Sequence, residues 1–440
     1  MKKIKMMMAA ALGVLVSCGS VKSGEEAIAA SRESKVVVAY VTSWSEVMPD
    51  PQYMTHINYA FGHVNESFNG VKIDNEERLR QIVDLRKQKP ELKVLLSIGG
   101  WGSGRFSEMA ANDEYRRAFA ADCDRVVKEF ALDGIDIDWE YPTSSMANIS
   151  SSPDDTENFT LLMQDIRAAI GNEKELTLAT VASARYIDFK AILPSVDFVN
   201  IMAYDMASAP KHHSALYPSG HSGDITSDGA VTAHLKAGVP PSKLVMGMPF
   251  YGRGGDGYPS FQDYNKVGNT DTQYTEKWDE VAQVPYLADK NDTLVFGFEN
   301  PRSLAIKCQY ILDKDLLGGM YWDYSGDNEQ GDLRRTVAEN LLGKPHKAKV
   351  LVLTERGGQH GGFTDAGLRW LAAEGAKGNF SITEINNARN ITEAYLSQFS
   401  LVIQLDFPPY TWPKEAEDAF VKYIEEGRGG WIGFHHATLL

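Results

Sequence analysis

Eight short apolar runs recur along the chain, at residues 36–40, 56–61, 94–98, 134–140, 176–181, 198–203, 244–249 and 319–322. Amphipathic stretches such as 75–87, 113–130, 156–170 and 303–313 lie between them. Near-continuous apolar runs suit strands buried on both faces, and a 3.6-residue period suits the helices that cover such a sheet. Parallel strands joined in this way form either an open doubly wound sheet or a closed barrel. Eight βα units ending near Leu342 favour closure, so an α/β fold, a (β/α)8 TIM barrel, is expected over residues 35–342. Residues 254–300, rich in Gly, Asp, Asn and Tyr, are too long for a simple βα loop and are expected to be an inserted subdomain between strands seven and eight.

A linker at 343–348 separates this unit from a second βα pattern over 349–440. Its strands are expected at 350–354, 380–385, 401–404 and 430–434, with helices around 364–373 and 413–426. The sequence stops directly after the last of these strands. A half-built sheet leaves an unpaired edge and an uncovered apolar face, so this domain is expected to be incomplete.

The N-terminus reads as an address. Lys2, Lys3 and Lys5 precede an apolar run over 6–16 that is too short to span a bilayer. Leu15-Val16-Ser17-Cys18 follows, similar to a bacterial lipobox, in which Cys18 becomes the lipidated mature N-terminus. The expectation is an exported lipoprotein of the cell envelope, held to a membrane by its lipid, with 1–18 as signal and lipidation site and 19–34 as tether. Export would permit a disulfide between Cys123 and Cys308, but both lie in helix-like segments and are expected to be buried free thiols, and no cysteine spacing resembles a metal site. The formal charge of −15 argues against a nucleic-acid partner and fits a neutral substrate.

The fourth run carries the chemistry. Alternation along a strand turns Asp136, Asp138 and Glu140 to one face and Ile135, Ile137 and Trp139 to the other. In a barrel the acids look inward. Glu140 comes last, at the C-terminal rim where barrel active sites are built, with Asp138 roughly 6–7 Å below it. No Lys or Arg lies in this run to pair with them. Stacked buried carboxyls raise one another's pKa, which would keep Glu140 protonated near neutral pH as a proton donor. Asp133 falls on the opposite face and reads as structural, and Trp139 as packing.

Asp133-x-x-Asp136-x-Asp138-x-Glu140 resembles the signature of family 18 glycoside hydrolases, the chitinase family. The resemblance extends to Ser97-Ile98-Gly99-Gly100-Trp101, Met202-Ala203-Tyr204-Asp205, Pro249-Phe250-Tyr251-Gly252-Arg253 and Gly318-Gly319-Met320-Tyr321-Trp322. Trp278-Asp279 followed by Pro285-Tyr286 is similar to the family's α+β insertion, here short. The resemblance implies retaining hydrolysis of β-1,4-linked N-acetylglucosamine oligomers, as in chitin, by substrate-assisted catalysis, with no cofactor and no metal. It implies Glu140 as acid, Asp138 as the group orienting the substrate acetamide, Asp136 sharing a proton with Asp138, and Tyr204 bonding the acetamide oxygen. Asp205 would sit beside the sugar and Trp322 beneath it, while Tyr40, Phe61, Trp101, Tyr141, Met202 and Tyr286 would line the cleft. An endo-β-N-acetylglucosaminidase acting on N-glycans is the enzymatic alternative. A non-catalytic chitin-binding lectin is disfavoured by the presence of Glu140.

The second domain resembles the trehalose-utilisation (ThuA-like) type, related in fold to class I glutamine amidotransferases, a flavodoxin-like arrangement. The matching residues are Val350-Leu351-Val352-Leu353, Gly357-Gly358-Gln359-His360 and Gly429-Gly430-Trp431-Ile432-Gly433-Phe434-His435-His436. With no Cys in this domain, thiol-based glutaminase chemistry is excluded. His360, His435 and His436 are expected to be loop histidines without a ligand.

Overall fold

The computed structural model describes residues 35–255, 258–267, 273–343, 348–354, 361–375, 380–389, 391–405 and 412–434. The signal and tether expectations, with Cys18, and the three histidines of the second domain lie outside the described residues.

The first fourteen strands are β1 (Val36–Thr42), β2 (His56–Val64), β3 (Val71–Ile73), β4 (Lys93–Gly99), β5 (Gly134–Asp138), β6 (Glu175–Val181), β7 (Phe198–Met202), β8 (Leu244–Pro249), β9 (Tyr251–Gly254), β10 (Gln262–Asp263), β11 (Thr275–Asp279), β12 (Val284–Ala288), β13 (Leu294–Gly297) and β14 (Gly318–Trp322). Eight of them run parallel in the order β1-β14-β8-β7-β6-β5-β4-β2, and pairing of β1 with β2 closes the barrel. These are the eight expected strands. The hydrogen-bonded part of the fourth ends at Asp138, two residues short of Glu140, because the chain leaves the ladder as it reaches the rim. The short antiparallel β3 on the edge of β2 carries too little apolar pattern to be read from sequence.

Both faces of the barrel strands are buried. On the outer face Trp139 stacks on Phe106 at 5.3 Å and meets Phe159 edge-on at 6.0 Å, beneath the helices Phe106–Ala111 and Asp155–Ile170. Asp133 accepts from the Val94 amide at 2.7 Å and pairs with Arg86, locking the bottom of β5 to its neighbour. Both acts are structural. Cys123 and Cys308 are buried and unbonded.

The described part of the insertion is an antiparallel sheet, ordered β10-β9-β13-β12-β11, with a 3-10 turn at Tyr264–Lys266. It grows directly from β8, since β9 begins two residues after that strand ends. Where it returns to the barrel, Glu299 and Lys307 form a fully buried ion pair. Ser214, from the loop after β7, donates to Glu299 at 2.6 Å, and its carbonyl accepts from Lys307. The loop after β7 is thereby joined, across more than 80 residues, to the segment that leads out of the insertion.

The C-terminal unit has four parallel strands, β15 (Lys349–Thr354), β16 (Ser381–Ile385), β17 (Leu401–Leu405) and β18 (Gly430–Phe434), in the order β16-β15-β17-β18. Helices Gly361–Gly375 and Lys414–Glu425 fall where expected. Leu351, Leu353, Val402, Trp412 and Tyr423 belong to one apolar cluster, and Val350, Val352, Leu371 and Ile403 to another.

Removing one member of a buried ion pair strands the other in a low-dielectric interior. Lys307→Met is therefore expected to destabilise the barrel by about 3–5 kcal/mol, read as a lower midpoint in urea unfolding. A change within about 0.5 kcal/mol would show that the pair carries no such load.

Candidate active site

The residues expected to do chemistry lie at the C-terminal ends of the barrel strands, the face on which such barrels place their sites. A cleft of about 740 Å³ opens there, lined among others by Tyr40, Phe61, Trp101, Asp138, Glu140, Tyr141, Met202, Tyr204, Asp205 and Trp322. The fold thus brings together ten of the twelve residues expected at the site. The other two lie elsewhere. Asp136 is the buried layer beneath the cleft, fully enclosed. Tyr286, on β12, packs against His212 at 5.5 Å and His221 at 5.8 Å, where the insertion meets the loop after β7. These ring contacts, rather than the cleft, are its neighbours.

Asp136 gathers donors from four strands. Its Oδ2 accepts from the Tyr40 hydroxyl on β1 and the Ser97 hydroxyl on β4, both at 2.8 Å. Its Oδ1 accepts from the Thr177 hydroxyl on β6 at 2.6 Å and from the Asn200 amide on β7 at 3.3 Å. Burial pushes its pKa up, and these four donors oppose the shift. They also occupy the carboxylate, so Asp136 reaches Asp138 through charge rather than through a hydrogen bond.

Asp138 is in the opposite situation. It is buried, and its Oδ1 has no hydrogen-bond partner among the described residues. Burial, then the charge of Glu140, then that of Asp136, hold its carboxyl well above the usual carboxylate range. An acceptor buried without a partner is costly, and such groups concentrate where a ligand will complete them. Glu140 is pushed up to about 7 by burial and by the charge of Asp205, against a bond from Tyr141.

The approach of β4 to β5 depends on glycine. Gly99 and Gly100 have φ of 132° and 90°. A Cβ on Gly99 would sit 2.0 Å from the Asp138 carbonyl oxygen, and one on Gly100 2.6 Å from the Phe61 ring. The Gly100 amide donates to that Asp138 carbonyl at 2.8 Å. The glycines thus let the chain carrying Trp101 pass directly over the acid strand.

Asp205 is held by Arg253 of β9 through a two-pronged pair, one arm at 2.7 Å, and by His213 at 3.4 Å. Against a partial loss of solvation, these partners bring its carboxyl below the usual range. Arg253 lies over Tyr251 and Phe261, which are themselves stacked at 4.7 Å. Trp44, Tyr251, Arg253 and Phe261 line the cleft, and sequence reasoning did not place them there. Tyr251 and Arg253 stood in a quoted motif, which was a usable signal. Trp44 and Phe261 had none.

The aromatic lining falls into two arcs. Tyr40, Phe61 and Trp322 form one, from β1, β2 and β14, with Trp322 5.6 Å from Tyr40 and stacked on Phe61 at 5.5 Å. Trp101, Tyr141 and Tyr186 form the other, from the ends of β4, β5 and β6, with Tyr141 stacked on Tyr186 at 5.4 Å. Flat apolar faces of this kind pack against the C–H faces of sugars.

The shift of Glu140 has a thermodynamic consequence. Its folded pKa of about 7 lies above the ordinary 4.5, so protonation favours the folded state, and that contribution is lost as pH rises from 4.5 through 7. Glu140→Gln stays neutral throughout. The variant is expected to match the parent in thermal midpoint near pH 4.5 and to exceed it at pH 8. An equal difference at both pH values would contradict the shift.

Comparison with known proteins agrees with this geometry. The sequence model described as Glycosyl hydrolases family 18 matches residues 36–327, and that described as Trehalose utilisation matches 349–440. Chitinase A1 of Niallia circulans is 29% identical, over 70% of this chain and 58% of its own length. Chitotriosidase-1 of Mus musculus is 31% identical, over 67% of this chain and 74% of its own. Among solved structures, the family 18 N-acetylglucosaminidase of Paenibacillus barengoltzii superposes with a TM-score of 0.65 at 32% identity, covering 70% of this chain and 99% of that one. The Group IV chitinase of Ostrinia furnacalis gives 0.64 at 28%, over 70% and 99%. A closed barrel with this acid column, matched over most of its length, makes the chain a member of glycosyl hydrolases family 18.

Proposed function

We propose that the barrel hydrolyses β-1,4-linked N-acetylglucosamine oligomers, chitin or its soluble fragments, with retention of configuration. The observation that carries the reading is Asp138: a buried carboxyl with an unpartnered oxygen, set directly below a proton donor. The only other carboxylate lining the described cleft, Asp205, is engaged by Arg253. A substrate acetamide completes Asp138 with its N–H and supplies the nucleophile from its own carbonyl oxygen.

The steps follow from these positions. Glu140 transfers its proton to the glycosidic oxygen as the C1–O bond breaks. The acetamide oxygen forms a new bond to C1, giving an oxazolinium ion. Asp138 accepts the acetamide N–H and stabilises the positive charge, with Asp136 behind it tuning its charge. Tyr204, whose buried hydroxyl neighbours Asp138, Glu140 and Asp205, donates to the acetamide oxygen. Asp205, fixed by Arg253, borders the sugar, and Trp322 is its floor. Water then attacks C1 and gives a proton to the Glu140 carboxylate, the acetamide re-forms, and the β configuration is kept.

Turnover of a fluorogenic chitobioside or chitotrioside tests this. Glu140→Gln is expected to lose about 10²–10⁴ in kcat, and the parent's kcat/KM to fall as pH rises through about 7, where the donor ionises. A thiazoline mimic of the oxazolinium should inhibit. Insensitivity to it would remove the acetamide mechanism. Release of glycans from a high-mannose glycoprotein, with chitin oligomers untouched, would move the chain to the endoglycosidase alternative.

We further propose that Cys18 is acylated and holds the barrel outside the cytoplasm on the cell envelope. The basic start, short apolar run and Leu15-Val16-Ser17-Cys18 support it. Expressed at full length in a bacterium, the protein should take up a labelled fatty acid and partition into detergent, and Cys18→Ala should do neither. Aqueous partitioning of the unaltered protein would refute the anchor.

A further inference from the structure

The loop that follows β6 is built to hold one cation in the cleft. Ala184 and Tyr186, the two neighbours of Arg185, have φ of 56° and 76°, a region that residues bearing a Cβ seldom adopt. The turn is pinned by the Ala184 amide on the Val181 carbonyl at 3.0 Å and by the Thr156 hydroxyl on the Tyr186 carbonyl at 2.8 Å. Backbone of this kind, at a site and not in the core, points to a function for the side chain it carries. Arg185 lies over the Tyr186 ring at 5.3 Å, and its Nε donates to Ser183 at 2.9 Å. Arg185 and Arg253 are the two cations lining the described cleft. Arg253 is paired with Asp205, whereas Arg185 is exposed and is in no ion pair among the described residues. The Tyr186 ring and the Ser183 bond hold the guanidinium while its terminal nitrogens stay available to take an oxyanion.

Its place in the cleft says which part of a substrate it meets. Arg185 ends the second aromatic arc, Trp101–Tyr141–Tyr186, whose middle member, Tyr141, is bonded to Glu140. Under the proposed function, on which this inference rests, Trp322 lies below the transferred sugar on the opposite arc. The second arc therefore receives the leaving group. We infer that Arg185 gives this site an added preference for leaving groups that carry a carboxylate, so that such a substrate is cut faster than the otherwise equivalent neutral one that the same site also hydrolyses.

Two fluorogenic substrates that differ at the leaving group test this, 3-carboxyumbelliferyl and 4-methylumbelliferyl β-chitobioside. The quantity to read is the ratio of their kcat/KM values, compared between proteins so that intrinsic reactivity cancels. The carboxyl-to-methyl ratio is expected to fall about tenfold in Arg185→Gln, as loss of one charge-assisted contact predicts, and to be largely restored in Arg185→Lys. In the unaltered protein the ratio should also decline with added salt, and in Arg185→Gln it should not. An identical ratio in the unaltered protein and Arg185→Gln, with both substrates turned over, overturns the role of Arg185 and leaves the hydrolase reading standing. No turnover of either substrate by the unaltered protein overturns the hydrolase reading, and the inference with it.

Discussion

A carboxylate at the centre of an apolar barrel is tolerable only if donors surround it, and Asp136 recruits them from β1, β4, β6 and β7. Including its own β5, five of the eight barrel strands meet at one side chain. That convergence fixes the relative heights of the strands, because a slip of one residue would turn each donor to the outer face. One layer higher, the Asp138 Oδ1 has no donor among the described residues. The asymmetry between the two aspartates is thus a single arrangement: saturation below creates an unsatisfied acceptor above, next to Glu140.

The strand alternation and the acid column were legible in the sequence because they depend only on local period. Asp136, Asp138 and Glu140 share a face in any extended strand, and the rim position of Glu140 follows from strand direction. The donors to Asp136 were not legible. Ser97, Thr177 and Asn200 are ordinary polar residues in three other strands, and only barrel closure brings them to one point. Tyr286 marks a different limit: a motif match located the residue in the insertion, but not which ring contacts it makes there. Phe261 and Trp44 gave no signal because single aromatics near a turn are common in any cleft wall or core.

Electrostatics inside the cleft are partitioned rather than uniform. Burial raises both Asp138 and Glu140, with the charges of Glu140 and Asp136 adding to the first and that of Asp205 to the second, while Arg253 and His213 hold Asp205 ionised a few residues from the end of β7. Carboxyl groups in one cleft are thereby given different protonation states by burial and by their immediate partners. The acidity of the whole chain contributes little to this, since the groups that set each state lie in direct contact.

The pairing of Asp205 with Arg253 joins a residue of the barrel's own β7 loop to β9, the first strand of the insertion. The buried Glu299–Lys307 pair does the same at the insertion's far end. The insertion is consequently not an interchangeable accessory. A wall grafted from another barrel would have to bring a guanidinium to the same register on its first strand and a matching acid at its exit. Otherwise it would leave charges unanswered inside the recipient. Cleft depth can vary in such proteins only through the middle of the insertion, between two electrostatically fixed ends.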